Sequence, residues 1–363
     1  MKRLAYVSLA VFLMILVLGA LAFAIPRPPK ESSVRPPERI NPVEALLRSA
    51  SIDQPWQHEG LTIFPVRLDP VRSFGKPLTL DEAVDEGVLK ISELGSGEVN
   101  RVMVNNRSDH HIFLMAGEAI TGAKQDRMVK DDLLLPPHTR REIGVYCVEH
   151  GRWTEGTEFK SGKFMAPSNV RNRAMASKSQ SEVWASVAES QRANGAPQGS
   201  LRTVPSSPKL QERIMPYKKH FGDLPKMADR TCGVIVAYGR EWLAVDIFQD
   251  ATLFRKLWPK LLDSYLMEVG SRSNRLKDRP NVHDAEQFLG QLYWAKQDPA
   301  STDGAGRRVE LRGRNIYGSA LIVEQSVLHL EAFPGAQIQP MEQQGQHRTP
   351  SLEYRRQRLE GNR

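Results

Sequence analysis

Two short stretches hold most of the residues whose types and spacing could do chemistry. Met115–Arg127 reads MAGEAITGAKQDR and sets Glu118, Lys124, Gln125, Asp126 and Arg127 close together. Gly117 and Gly122 give the backbone freedom beside them. Cys147–Trp153 reads CVEHGRW and ends an apolar run in Glu149, His150, Arg152 and Trp153. Carboxylates can move protons, amides can hydrogen-bond, and guanidinium groups match phosphate or carboxylate oxygens. Trp153 could wall a ring. If the strands carrying Phe113 and Val145 share one sandwich, both clusters emerge at one end of it. The candidate ligand-binding residues are therefore Glu118, Gln125, Arg127, Glu149, Arg152 and Trp153. Three readings stay open: a buried network that fixes loop geometry, a ligand site, or a catalytic site.

The remaining polar residues give less. Cys147 lies inside Val145-Tyr146-Cys147-Val148, which predicts a packed thiol rather than a nucleophile. With Cys232 it makes a pair expected as buried free thiols, a disulfide being the alternative. His110 and His111 would point to opposite faces of a strand, His138 follows Pro-Pro in a turn, and His150 is isolated. No H-x-x-x-H, C-x-x-C, G-x-S-x-G, Walker A or dinucleotide fingerprint occurs, so neither a metal site nor a cofactor is expected. Trp242, Trp258 and Trp294 fall in apolar periodic segments and are expected in the core.

The elements that must position these residues follow from periodicity and turn signals. Strands are expected over 61–68, 88–94, 99–104, 111–115, 133–135 and 142–148, broken by polar turns such as 105–109. Asn41-Pro42 opens a short helix, and TLDEAVDEG gives another with a Thr cap and a terminal Gly. Strands 232–238 and 242–248 flank a hairpin, and 250–269 carries Leu253, Leu257, Leu261, Leu262, Tyr265 and Leu266 at helical spacing. A further short helix is expected at 284–294, then strands at 308–311, 320–323 and 327–333. The fold class is α+β: a β-sandwich-like N-terminal part, with a strand-helix C-terminal part packed on the same core. The globular domain spans 43–334. Within it, 160–208 is rich in Ser, Asn, Arg, Ala and Gln and reads as a flexible insertion with one helix at 180–192, overlying a site.

The chain ends read differently. Lys2 and Arg3 precede an uncharged apolar run from Leu4 to Ala24, closing on Ala22-Phe23-Ala24. Residues 1–24 are therefore expected to be a signal peptide or, given the length of the run, an N-terminal membrane anchor. Residues 25–42 form a proline-rich linker, and 335–363 a Gln-, Arg- and Glu-rich disordered tail. The domain is accordingly expected to be exported: periplasmic or extracellular, and held at the inner membrane if the leader stays. The formal net charge of +8 suits anionic surroundings, but no basic helix with interleaved aromatics points to nucleic acid.

GEAITGAKQDR paired with CVEHGRW resembles the ARG-and-rhodanese-phosphatase-superfamily-associated protein family. The later VIVAYGREWLAVDIFQDATLFRKLWPKLLDSYLMEV is similar to it as well. The resemblance covers about Leu61 to Phe333 and implies a domain of undetermined activity, with a contextual hint of nucleotide or ADP-ribose chemistry. It marks Glu118, Gln125, Arg127, Cys147, Glu149, Gly151, Arg152 and Trp153 as motif positions. Two functions are expected as rivals. One is an envelope domain binding a polar or anionic ligand, or a partner protein, through the Glu/Gln/Arg/Trp cluster. The other is a hydrolase of a phosphorylated or nucleotide-like substrate, with Glu118 or Glu149 as general base and Arg127 and Arg152 stabilising negative charge.

Overall fold

Eighteen strands and the helices among them, all drawn from 41–335, make up the fold of the computed structural model. The structure describes those residues except 96–97, 150, 152–154, 228–229 and 271–277. The expected leader, the linker up to Ile40, the tail from 336, and Arg152 and Trp153 lie outside the described residues. Among the described residues no helix is long and apolar enough to cross a membrane.

The first strands are β1 (Ala50–Ile52), β2 (Trp56–His58), β3 (Leu61–Leu68), β4 (Leu78–Thr79), β5 (Leu89–Glu93) and β6 (Arg101–Asn106). Then come β7 (Ile112–Leu114), β8 (Glu118–Gly122), β9 (Arg127–Val129), β10 (Leu133–Leu135), β11 (Arg140–Cys147) and β12 (Glu158–Met165). The last are β13 (Thr231–Tyr238), β14 (Glu241–Phe248), β15 (Lys296–Ala300), β16 (Arg307–Arg312), β17 (Ile316–Val323) and β18 (Ser326–Pro334). The helices that matter below are α1 (Pro42–Ser49), α2 (Leu80–Asp85), α3 (Ser168–Ser177), α4 (Gln180–Ala193), α5 (Pro208–Phe221), α6 (Ala251–Val269) and α7 (Val282–Gly290).

The class is α+β. Strands β1-β3-β13-β14-β18-β17-β16-β15, with β2 beside β3, form one nine-stranded sheet whose pairings are antiparallel. Its middle strands are apolar on both faces; every residue of β13 is buried. Val234, Val236 and Tyr238 join a core with α5 and α6, while Ile235 and Cys232 join a second core with α1 and α7. This double burial explains why 232–238 reads as an unbroken apolar run. The strand-rich N-terminal part closes into a barrel, β11-β6-β5-β12-β8-β9, beside a three-stranded sheet β10-β7-β4. Alternation sets its interior: Ile91, Val102, Val104, Ile120, Val129, Ile143, Val145 and Phe159 share one apolar cluster.

Local chemistry fixes the helix starts. Asn41 Oδ1 accepts from Val43 N at 2.9 Å with Pro42 in the first turn, and Thr79 and Glu82 form a capping box. Asp250 caps α6 through Thr252 N and Leu253 N.

Two expectations need correction. Residues 160–208, read as a flexible insertion with one helix, have that helix as α4 but also contribute strand β12 and helix α3, with Val170, Arg171, Val183, Val187 and Leu201 buried. Their composition misleads because many of the packed residues are Ser, Asn, Gln and Ala, small or hydrogen-bonded rather than large and apolar. Trp294 is 90% exposed. It stands off the stripe Ala285, Phe288, Leu289 and Leu292 that α7 and the 3₁₀ turn after it bury. Trp258 is in the core, and Trp242 is half-buried and stacks on Phe288 at 4.7 Å. Cys147 and Cys232 are buried free thiols.

Candidate functional site

The two motifs supply barrel strands, a role that their charged residues hide in the sequence. Glu118 begins β8 and Arg127 begins β9; Ile120 pairs with Arg127, and Arg127 pairs with Cys147 of β11. Arg127 shares the inward face of its strand with Val129, Cys147 that of Val145, and Glu93 that of Ile91. The three meet at one end of the barrel interior. Arg127 is fully buried; its Nη1 donates to Gln125 O at 3.0 Å and its Nη2 lies 3.6 Å from Glu93. Gln125 Nε2 donates to Glu149 O, and Glu149 Oε2 accepts from Asp126 N at 3.0 Å. Cys147 Sγ contacts Gln125 Oε1 at 3.4 Å and Glu149 O at 3.0 Å. Burial pushes this thiol up despite Arg127, so thiolate chemistry is disfavoured.

Gln125, Arg127 and Glu149 are thus together, whereas Glu118 belongs to another group. Its carboxylate takes an ion pair from Lys260 of α6 and accepts from Met115 N at 2.8 Å. Lys260 also reaches Asp81 of α2 at 3.0 Å, and Asp81 accepts from Ser161 Oγ. Burial raises the Glu118 carboxyl. Burial would lower Lys260, but the two carboxylates outweigh it and keep the ammonium charged. This group ties helix α6 to the barrel; Glu118 does not line the neighbouring cleft, but Gly117, one residue before it, does.

That cleft, a cavity of about 810 Å³, lies between barrel and sheet. The barrel gives Met128, Val129, Lys130, Asp131 and Tyr146; α3 gives Arg171, Ala174 and Met175; β15 to β18 give Pro299, Arg308, Glu310, Arg312, Tyr317 and Glu331. Most rim charges are paired. Arg308 meets Asp131 at 3.2 Å, and Glu310 takes Lys178 at 2.5 Å and Arg312 at 3.0 Å. Lys130 lies over the Tyr146 ring, 5.8 Å from its centre.

At the cleft floor, Arg171 and Glu331 are the outer members of a buried charge network. Arg171 Nη2 donates to Asp246 at 2.6 Å and to Glu331 at 3.0 Å. Tyr265 OH donates to Asp246, and His329 bridges Asp132 at 2.6 Å and Asp246 at 3.4 Å. Burial pushes the Glu331 carboxyl up to about 8, with Asp132 adding to it and Arg171 opposing. Burial would lower His329, but Asp132 and Asp246 overcome it and raise it to about 9. Burial opposes ionisation of Asp246 too, yet Arg171 beside it holds its pKa below the ordinary value. Two cations, Arg171 and His329, match the carboxylates of Asp132 and Asp246. Burial beside those acids favours the protonated form of Glu331.

Sequence reasoning missed Arg171, Asp246, His329 and Glu331. A signal existed: His329 and Glu331 alternate at i, i+2 inside the apolar run VLHLEAF, and Asp246 interrupts LAVDIF. Charges there must be paired or functional.

Barrel, wide sheet and the charged cleft between them define an α+β domain with a polar cleft beside the GEAITGAKQDR motif. Residues 49–333 match the ARG and Rhodanese-Phosphatase-superfamily-associated Protein domain, and the chain belongs to that family. No curated protein and no solved structure matches it.

Proposed function

We propose that the domain binds a small polar ligand with an anionic group in the cleft between barrel and sheet. The observation that carries this is the floor: Arg171 and Glu331, both buried, form part of its lining. Five cations, Lys130, Arg171, Lys178, Arg308 and Arg312, share that lining with Asp131, Asp298, Glu310 and Glu331. Five cations against four acids favour an anion, and burial, which raises the Glu331 carboxyl, adds to that preference. Arg171 Nε is a buried donor with no partner, which a ligand oxygen would satisfy. Tyr146, Met128 and Leu311 supply apolar wall.

The raised Glu331 carboxyl favours a second reading, hydrolysis of a phosphorylated or nucleotide-like substrate. Glu331 would protonate the leaving group while Arg171 holds developing negative charge. We also propose that the domain works outside the cytoplasm, on the strength of Lys2, Arg3 and the apolar run to Ala24. An envelope partner protein fits the same setting.

The test is a thermal-shift panel of pyrophosphate, citrate, glucose 6-phosphate and ADP-ribose on wild type and on Lys130→Glu and Arg312→Glu. A rise in melting temperature with an anion, lost in the reversals, supports the cleft. Stabilisation that both reversals leave intact argues against it. Turnover of the same compounds, lost in Glu331→Gln, would select the hydrolase reading.

A further inference from the structure

One end of the wide sheet gathers more than strand termini. Trp294 is 90% exposed and Tyr293 beside it 41%, on the 3₁₀ turn Gln291–Trp294 that leads into β15. The turn from β16 to β17 abuts this one: a Cβ on Gly313 would lie 3.5 Å from Gln291 O. Arg314 and Asn315 are exposed on it. Both boundaries of the described chain fall at the same end. Asn41 Nδ2 donates to Gln297 Oε1 of β15 at 2.8 Å, and Gly335 N donates to Asn315 O at 2.7 Å.

The surface chemistry says what covers this end. Trp and Tyr each join an apolar ring to a polar N–H or O–H, which suits a boundary that is apolar on one side and wet on the other. Among the described residues the exposed large apolar side chains are Val71, Met215, Tyr293 and Trp294, and of these only Tyr293 and Trp294 adjoin in the chain. A stable protein interface takes about 800 Å² from each partner, with an apolar centre. Two rings do not supply that, whereas the interfacial zone of a bilayer accepts rings singly. The charges point the same way. Arg48 pairs with Glu44, Lys296 with Asp298 at 2.7 Å and Arg312 with Glu310 at 3.0 Å, but among the described residues no acid pairs with Arg314. The sequences that join the domain here carry surplus cations. Residues 25–40 hold Arg27, Lys30, Arg35 and Arg39 against Glu31 and Glu38, and 336–363 hold five arginines against three glutamates. The first of them follows the apolar run Leu4–Ala24.

We propose that this end of the sheet rests on an anionic phospholipid bilayer, with Tyr293 and Trp294 in its interfacial zone and Arg314 among the lipid phosphates. The proposal rests on the reading that the domain works outside the cytoplasm, with Leu4–Ala24 retained as its anchor. The proline-rich residues 25–40 reach about 50 Å when extended, so an anchored domain stays near the lipid. Tethering raises the effective concentration of the surface, and a contact weak in free solution then suffices.

The test reconstitutes the full chain into vesicles of phosphatidylethanolamine and phosphatidylglycerol whose acyl chains carry bromine, a contact quencher of tryptophan. Residues 1–40 and 336–363 contain no tryptophan, so quenching reports the domain. Expected are co-flotation with the vesicles and quenched emission, most of the quenching being lost in Trp294→Phe and a smaller part in Arg314→Glu. Both substitutions fall on exposed positions, and unchanged melting temperatures confirm that the variants fold. Co-flotation with equal fractional quenching in wild type and Trp294→Phe overturns the docking surface and leaves the anchor standing. Equal quenching in Arg314→Glu overturns its anionic preference. A chain that does not float removes the anchor and the proposal with it. Cross-linking of two chains through this end, lost in Trp294→Ser, gives the face to a second copy and overturns the proposal.

Discussion

Gly117 sits at φ +92°, and a Cβ there would stand 2.8 Å from Arg171 Cγ. The glycine thus serves two needs at once, a left-handed turn and a close approach by the arginine that floors the cleft. Gly117→Ala should cost about 1–3 kcal/mol from backbone strain alone, read as a lower denaturation midpoint, with weaker anion binding in the folded fraction. Unchanged stability would contradict the reading. Part of this was visible in the sequence. GEAITGAKQDR stood out for its charge and glycines, and Gln125, Arg127 and Glu149 do meet. What composition could not supply is which side of the barrel wall each side chain takes: Arg127 points to the interior, while Gly117 lines the cleft. Arg171 was hidden for another reason, since it lies in a Ser/Asn/Arg-rich segment with no apolar period.

Helix α3 walls the cleft and helix α6 fastens the barrel to the sheet. The fastening runs through Lys260, which bridges Glu118 of β8 and Asp81 of α2. Lys260→Met should destabilise by about 3–5 kcal/mol, because it leaves buried Glu118 without its cation. Adding Glu118→Gln should recover part of the loss, measured by urea unfolding; a loss in Lys260→Met under about 1 kcal/mol would show the pair to be incidental. Elements with strong periods were legible: β3, β10, β13 and α6 lie where alternation, apolar runs and helical spacing put them. Helices α3 and α5 and strands β8, β9 and β12 were not. In α3, β8, β9 and β12 buried polar residues (Ser168, Arg171, Glu118, Arg127 and Ser161) interrupt the apolar pattern, whereas α5 buries Leu210, Ile214, Tyr217 and Phe221 at a helical spacing that sequence reasoning passed over.

At the scale of the whole molecule, the buried network makes stability depend on pH. Glu331 and His329 both bind protons more tightly folded than unfolded, so each lends stability that is lost as pH rises. For Glu331 the loss runs from 4.5 through about 8, and for His329 from 6.5 through about 9. Melting temperature should therefore fall between these limits, and fall less steeply in Glu331→Gln; parallel slopes would contradict the assignment of the extra proton. The α+β class and the family followed from the sequence. The cleft did not, because it is built where barrel, α3 and sheet meet, and no single segment carries it. The most direct measurement is hydrogen–deuterium exchange with and without a saturating anion from the panel. Protection concentrated in peptides covering 128–131, 171–178, 298–301 and 308–312 is the predicted result. Protection confined to 118–127 and 147–151, with those peptides unchanged, would return the site to the barrel end and contradict the account.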